Sequence, residues 1–161
     1  MKSFYTLLLA SMVSLSVSAQ NVDADKACAA QNKTLRDSLS KATEVLAYHP
    51  DSINLRLKKA AWNSQLEQWQ YAKDDLEKGL VLNNTNIAGL FYRAFVNEKL
   101  LRYNFARLDY QNLLVLVPGN FQAQLGLALL NEKDKHYTEA YDGINSLIEQ
   151  YPDSAMAYAA R

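Results

Sequence analysis

The sequence predicts an all-α fold, a solenoid of antiparallel helix pairs, on the strength of two observations. Pro50, Pro118 and Pro152 stand 68 and 34 residues apart, and Asn84, itself a helix-stopping residue, occupies the place of the missing member. On that register four columns of like residues line up: Ala60, Ala94 and Ala128; Ala72, Ala106 and Ala140; Trp69, Tyr103 and Tyr137; and Asn63, Asn97 and Asn131. A fixed period of this length marks a repeat architecture, in which each unit buries its apolar face against its neighbours.

The elements follow in order along the chain. Lys2 precedes an uncharged, apolar and Ser-rich stretch, Phe4 to Val17, and small residues at Val17, Ser18 and Ala19 lead into the polar run Gln20 to Asp23. Residues 1–19 therefore read as a signal peptide cleaved after Ala19. The stretch is shorter than the roughly 20 apolar residues that span a bilayer, so no stable membrane insertion is expected after cleavage. Cys28 follows Asp25, Lys26 and Ala27, which is not a lipid-attachment context. As the single cysteine it forms no internal disulfide, and it is read either as a buried small hydrophobe or as an intermolecular link.

Residues 20–52 form an N-terminal segment with a degenerate half repeat. Thr34 to Tyr48 reads as a second helix with Leu35, Leu39, Ala42, Val45 and Leu46 on its apolar side, while residues 20–32 are either an irregular tail or an extension of that helix. Three repeats follow, over 53–86, 87–120 and 121–154, with helices expected near 53–66, 69–82, 87–100, 103–116, 121–133 and 137–150. The first alanine column lies on the first helix of each unit and the second on its partner, where small side chains let two helices approach closely. The aromatic column opens each second helix, and the Pro or Asn column closes it. Asp51 with Ser52, and Asp153 with Ser154, are N-cap candidates for the helices that follow. Residues 155–161 match the start of a further, truncated repeat, so the natural chain is expected to continue beyond Arg161, since a solenoid normally ends in a helix with a polar outer face.

A 34-residue period with helix, turn and helix in each unit resembles the tetratricopeptide repeat, and the resemblance covers about residues 33–161. It implies a right-handed superhelical solenoid that binds another protein or peptide along a groove lined by the first helices. Some members of that family hold acidic C-termini with Lys, Asn and Arg side chains in this groove. On the matching arc only Lys58 has the right chemistry for this, so that clamp is absent. In its place the arc carries an apolar strip, Leu57, Phe91, Phe95, Leu125 and Leu129, with Lys58, Tyr92 and Lys99 beside it. These eight residues are the candidate partner-binding groove. The strip also admits two other readings, as inter-repeat core or a seat filled by the N-terminal segment, and as a surface for homo-oligomerisation.

Nothing in the sequence assembles a catalytic site. His49 and His136 lie beside expected turns, the five glycines form no phosphate loop or dinucleotide fingerprint, and carboxylates such as Asp74 and Asp75 are read as the polar faces of second helices. No enzymatic activity, cofactor or metal is expected. Seventeen basic residues balance seventeen acidic ones, so no positive potential recommends nucleic acid as a partner. The reading is an exported, periplasmic or secreted helical-repeat scaffold for a protein or peptide; the alternative is a structural or self-associating subunit of a cell-envelope assembly. The Asp-Ser pairs at Asp37, Asp51 and Asp153, each followed by Leu, Ile or Ala, resemble a protein O-glycosylation motif of Bacteroidota, although the same dipeptide also caps helices.

Overall fold

The structure, a computed structural model, describes residues 26–161. The expected cleavage after Ala19 lies outside the described residues. The chain divides into two compact units, Met1–Thr43 and Glu44–Arg161. The described part of the first is helical throughout, belonging to helix α1 over 26–48, and its Thr34, Ser38 and Thr43 hydroxyls donate to carbonyls four residues earlier. The helix thus includes residues 26–32, the extension that the sequence left open. Cys28 is exposed, which removes its reading as a buried hydrophobe.

The second unit carries α2 (Ile53–Gln65), α3 (Trp69–Leu82), α4 (Ile87–Lys99), α5 (Tyr103–Leu116), α6 (Phe121–Lys133), α7 (Tyr137–Gln150) and α8 (Ala155–Ala159). The first six begin and end within one residue of the expected ranges. Packing runs almost wholly between helices adjacent in the chain, most closely within the pairs α2–α3, α4–α5 and α6–α7. The paired alanines are the reason. Ala60 and Ala72 share one cluster, Ala94 and Ala106 the next, all fully buried, so that neither helix of a pair presents bulk to the other.

Each pair turns in the same way. Glu67, Leu101 and Lys135 adopt left-handed φ values of 56°, 57° and 64°. The next backbone N–H, of Gln68, Arg102 or His136, donates to the carbonyl of Asn63, Asn97 or Asn131 at 2.8 Å, closing each first helix with a Schellman cap. At the other end of the first helices stands a second column, Ser52, Asn86, Asn120 and Ser154. Asn86, Asn120 and Ser154 accept from the N–H of Gly89, Ala123 and Ala157, whereas Ser52 holds the same place without a side-chain cap bond.

The asparagine column also binds inward. Asn63 and Asn97 are buried, and their amides donate to Asp75 at 3.3 Å and Asp109 at 3.5 Å on the paired helix. Asp109 further holds Arg93 in a two-pronged ion pair, which raises the arginine's pKa. Lys59 and Arg56 stand 3.5 and 4.0 Å from Asp75. The expectation that Asp75 lies on a solvated face is therefore corrected: it is 5% exposed, and burial raises its pKa against the opposing pull of those cations. In the third pair Gly143 stands where the aspartates would, and Asn131 accepts from Arg107 of α5 instead.

Candidate partner-binding groove

The rotation of the first helices decides what the groove contains. Positions occupied by Ala60, Ala94 and Ala128, and by Asn63 and Asn97, turn toward the second helices and are buried. The opposite arc, with the eight candidate residues, is left to face either the next repeat or solvent.

The structure divides those eight among different surroundings. Leu57 and Tyr92 pack against the cluster of Ala60, Ala72, Leu76 and Val96. Phe91 packs one repeat further on, its ring 6.2 Å from that of Tyr110. Leu125 is buried in the cluster it shares with Leu147 and Ala157, with Leu129 against the same cluster. The apolar strip is thus not one open surface. Its same-position members Leu57, Phe91 and Leu125 enter three separate cores, because an apolar side chain at that position lies where successive repeats close on each other. Lys58, Phe95 and Lys99 are the candidates that remain exposed.

Phe95 is 37% exposed and belongs to a small cluster that the sequence did not assemble. Trp69, at the start of α3, meets it edge to face with ring centroids 6.0 Å apart. The Lys99 ammonium lies 5.3 Å from the Phe95 ring and 5.8 Å from the Trp69 ring. The 34-residue register aligns Trp69 with Tyr103 and Tyr137 but carries no signal of what they meet. Further along the same arc, Lys133 pairs with Glu98 at 2.7 Å and lies 5.2 Å over the Tyr103 ring. The other Glu98 oxygen accepts from the Tyr110 hydroxyl at 2.7 Å, and burial, with that bond, raises the phenol's pKa far above its ordinary value. Here Glu98 and Lys133 neutralise each other, whereas among the described residues Lys58 and Lys99 have no carboxylate within ion-pair distance.

His49 and His136 are both exposed, and among the described residues no group of three His, Cys, Asp or Glu side chains is placed to hold a metal ion. No described helix is long and apolar enough to cross a membrane.

No family model and no curated protein matches the sequence. Solved structures do. A tetratricopeptide repeat protein from Parabacteroides merdae is similar at a TM-score of 0.76 and 25% identity, over 80% of this chain and 50% of that one, so the match spans half the length of that protein. A MamA structure is similar at 0.70 and 19%, over 76% of this chain and 71% of that one. The TPR domain of Arabidopsis OM64 is similar at 0.63 and 20%, over 68% and 91%. With helices stacked in consecutive pairs, capped alike at a 34-residue interval and superposable on these solenoids, the chain has the tetratricopeptide-repeat fold.

Proposed function

We propose that the chain is an exported helical-repeat scaffold that binds another protein or peptide through the first-helix face around Phe95. The observation that carries this reading is the cluster of exposed Phe95 and Lys99 with the half-buried Trp69, an aromatic surface beneath an unpaired cation. An aromatic platform of this kind offers apolar area at little conformational cost, and a neighbouring ammonium favours a segment with an apolar anchor beside a carboxylate. Lys58 adds a second unpaired cation to the same arc.

Panning a displayed peptide library against the mature chain tests the site. Selected peptides are expected to lose about 2 kcal/mol of affinity with Phe95→Ala, as for an aromatic anchor, with a melting midpoint shifted by only a few degrees. A loss of about 3–5 kcal/mol in stability instead assigns Phe95 to the core and defeats the site.

The apolar run Phe4 to Val17 and the small residues at Val17 and Ala19 support export, and hence a periplasmic or secreted location. The Asp-Ser sites and the likeness to the Parabacteroides protein support a bacterial source of the Bacteroidota type. Mass spectrometry of the protein from its native host is expected to find Gln20 at the N-terminus; an intact Met1 in most molecules refutes export by this signal.

A further inference from the structure

We propose that Lys99 is the specificity-determining residue of the Phe95 site, and that it selects a peptide segment carrying an acidic side chain, Asp or Glu, next to its apolar anchor. This selectivity rests on the peptide-binding role given to the site above. Its cause is a carboxylate that the next junction between repeats has and this one lacks.

The two junctions can be compared place by place. Lys99 and Lys133 stand at the same position of successive units, 34 residues apart, and so do Trp69 and Tyr103. Each lysine lies over the aromatic that opens the second helix of the preceding unit, Lys99 at 5.8 Å from the Trp69 ring centroid and Lys133 at 5.2 Å from that of Tyr103. The two ammonium groups are thus seated alike. Their counter-ions differ. Lys133 meets Glu98, on the first helix of the preceding unit, at 2.7 Å, but the residue one period before Glu98 is Ser64. The Ser64 hydroxyl donates to the Ala60 carbonyl of its own helix at 2.9 Å. Leu76, in turn, stands at the position of Tyr110, whose hydroxyl holds Glu98 in place. Lys99 therefore has the seat of an ion-paired lysine, and no carboxylate is supplied to it from within the chain.

A ligand carboxylate opposite Lys99 reproduces what Glu98 does for Lys133. The apolar half of the ligand has its place beside it. Phe95 is exposed, whereas Leu129 at the equivalent position is half-buried against the cluster of Leu125, Leu147 and Ala157. The Lys99 ammonium lies 5.3 Å from the Phe95 ring, so an anchor on the ring and an acid on the ammonium belong to neighbouring residues of one segment. Glu98 presents its carboxylate as a side chain, with the backbone running on past it, and an acidic side chain of a continuing segment fits the same approach. The charge-assisted contact adds little affinity at a half-open site but discriminates between an acid and its amide.

Panning the native chain and Ser64→Glu in parallel against a library of short peptides tests the proposal, with the peptide C-termini fused to the display protein so that no free terminal carboxylate is present. Peptides taken by the native chain are expected to be enriched in Asp or Glu next to an aromatic or aliphatic residue. Changing that acid to its amide is expected to weaken binding about fivefold, as is Lys99→Gln, whereas Lys78→Gln on the outer side of α3 leaves it unchanged. Ser64→Glu supplies the missing counter-ion and is expected to abolish the preference for an acid, while binding to both chains still depends on Phe95. Peptides without an acid, or an acid preference that survives Lys99→Gln or Ser64→Glu, overturn the selectivity and leave the Phe95 site standing. Capture only from a second library with free C-termini assigns the carboxylate to a chain end and overturns it equally. A native chain that takes no peptide from either library overturns the selectivity and the proposed site together.

Discussion

Tyr110 crosses from α5 to α6 over a helix position that has no side chain. A Cβ built on Gly126 falls 2.5 Å from two atoms of the Tyr110 ring, a ring that is buried and fixed at its hydroxyl by Glu98. Gly79 lies equally within a helix, but its Cβ meets only Arg56 carbons at 3.7 and 4.0 Å, which is ordinary contact. The two glycines therefore respond to alanine with opposite sign. Gly79→Ala should gain about 0.5–1 kcal/mol from helix propensity, while Gly126→Ala sets that gain against overpacking of about 1–3 kcal/mol and should lose about 1–2 kcal/mol net. Denaturant midpoints check both; a stabilised Gly126→Ala defeats the close crossing. The sequence could not foretell this contact, because a repeat register aligns equivalent positions and says nothing of which unlike positions meet. For the same reason Asn63 was placed in a column while its partner Asp75 was misread as a surface carboxylate: the Asp column ends at Gly143 and holds only two members.

At the scale of the helix, the 34-residue interval was enough to place six helices to within a residue, since Pro, Asn and the aromatic column mark their ends. What it concealed was the manner of turning. Leu, Glu and Lys stand at the three left-handed positions where glycine is the usual C-terminal residue, so no glycine announces the caps. A side chain there costs roughly 1 kcal/mol of backbone strain. Glu67 is exposed, and Glu67→Gly should raise stability by about 1 kcal/mol, whereas Glu67→Ala, which keeps the Cβ, should change it little. Thermal melts of the two variants separate relief of strain from loss of charge, because equal shifts would leave only the charge as the cause. The N-cap column was half visible: Ser52 and Ser154 were candidates, but Asn86 and Asn120 were hidden by the absence of a preceding aspartate.

Across the whole solenoid the two junctions between repeats are built differently. The first depends on apolar and aromatic contact, Leu80 beside Leu90 and Trp69 against Phe95. The second adds polar bonds: Arg107 donates to Asn131 at 2.7 Å and to Asp134 at 2.6 Å, and Lys133 meets Glu98. Arg107→Ala should therefore loosen the third pair from the second by about 1–2 kcal/mol. Amide hydrogen exchange is expected to quicken in α6 and α7 well before α2 and α3; a uniform change along the chain contradicts the junction assignment. The apolar strip was illegible at this scale because angular position on a helix does not fix depth: its members enter three cores and only Phe95 among them is exposed.

Packing between chain neighbours bears on how such a molecule is made. When a polypeptide leaves a narrow exit with its N-terminus first, Ala60 finds Ala72, and Ala94 finds Ala106, within a dozen residues of further emergence. Each pair can close as soon as its second helix is clear, and each finished pair presents the surface on which the next one settles. Growth is then vectorial, and the order of assembly is the order of the sequence.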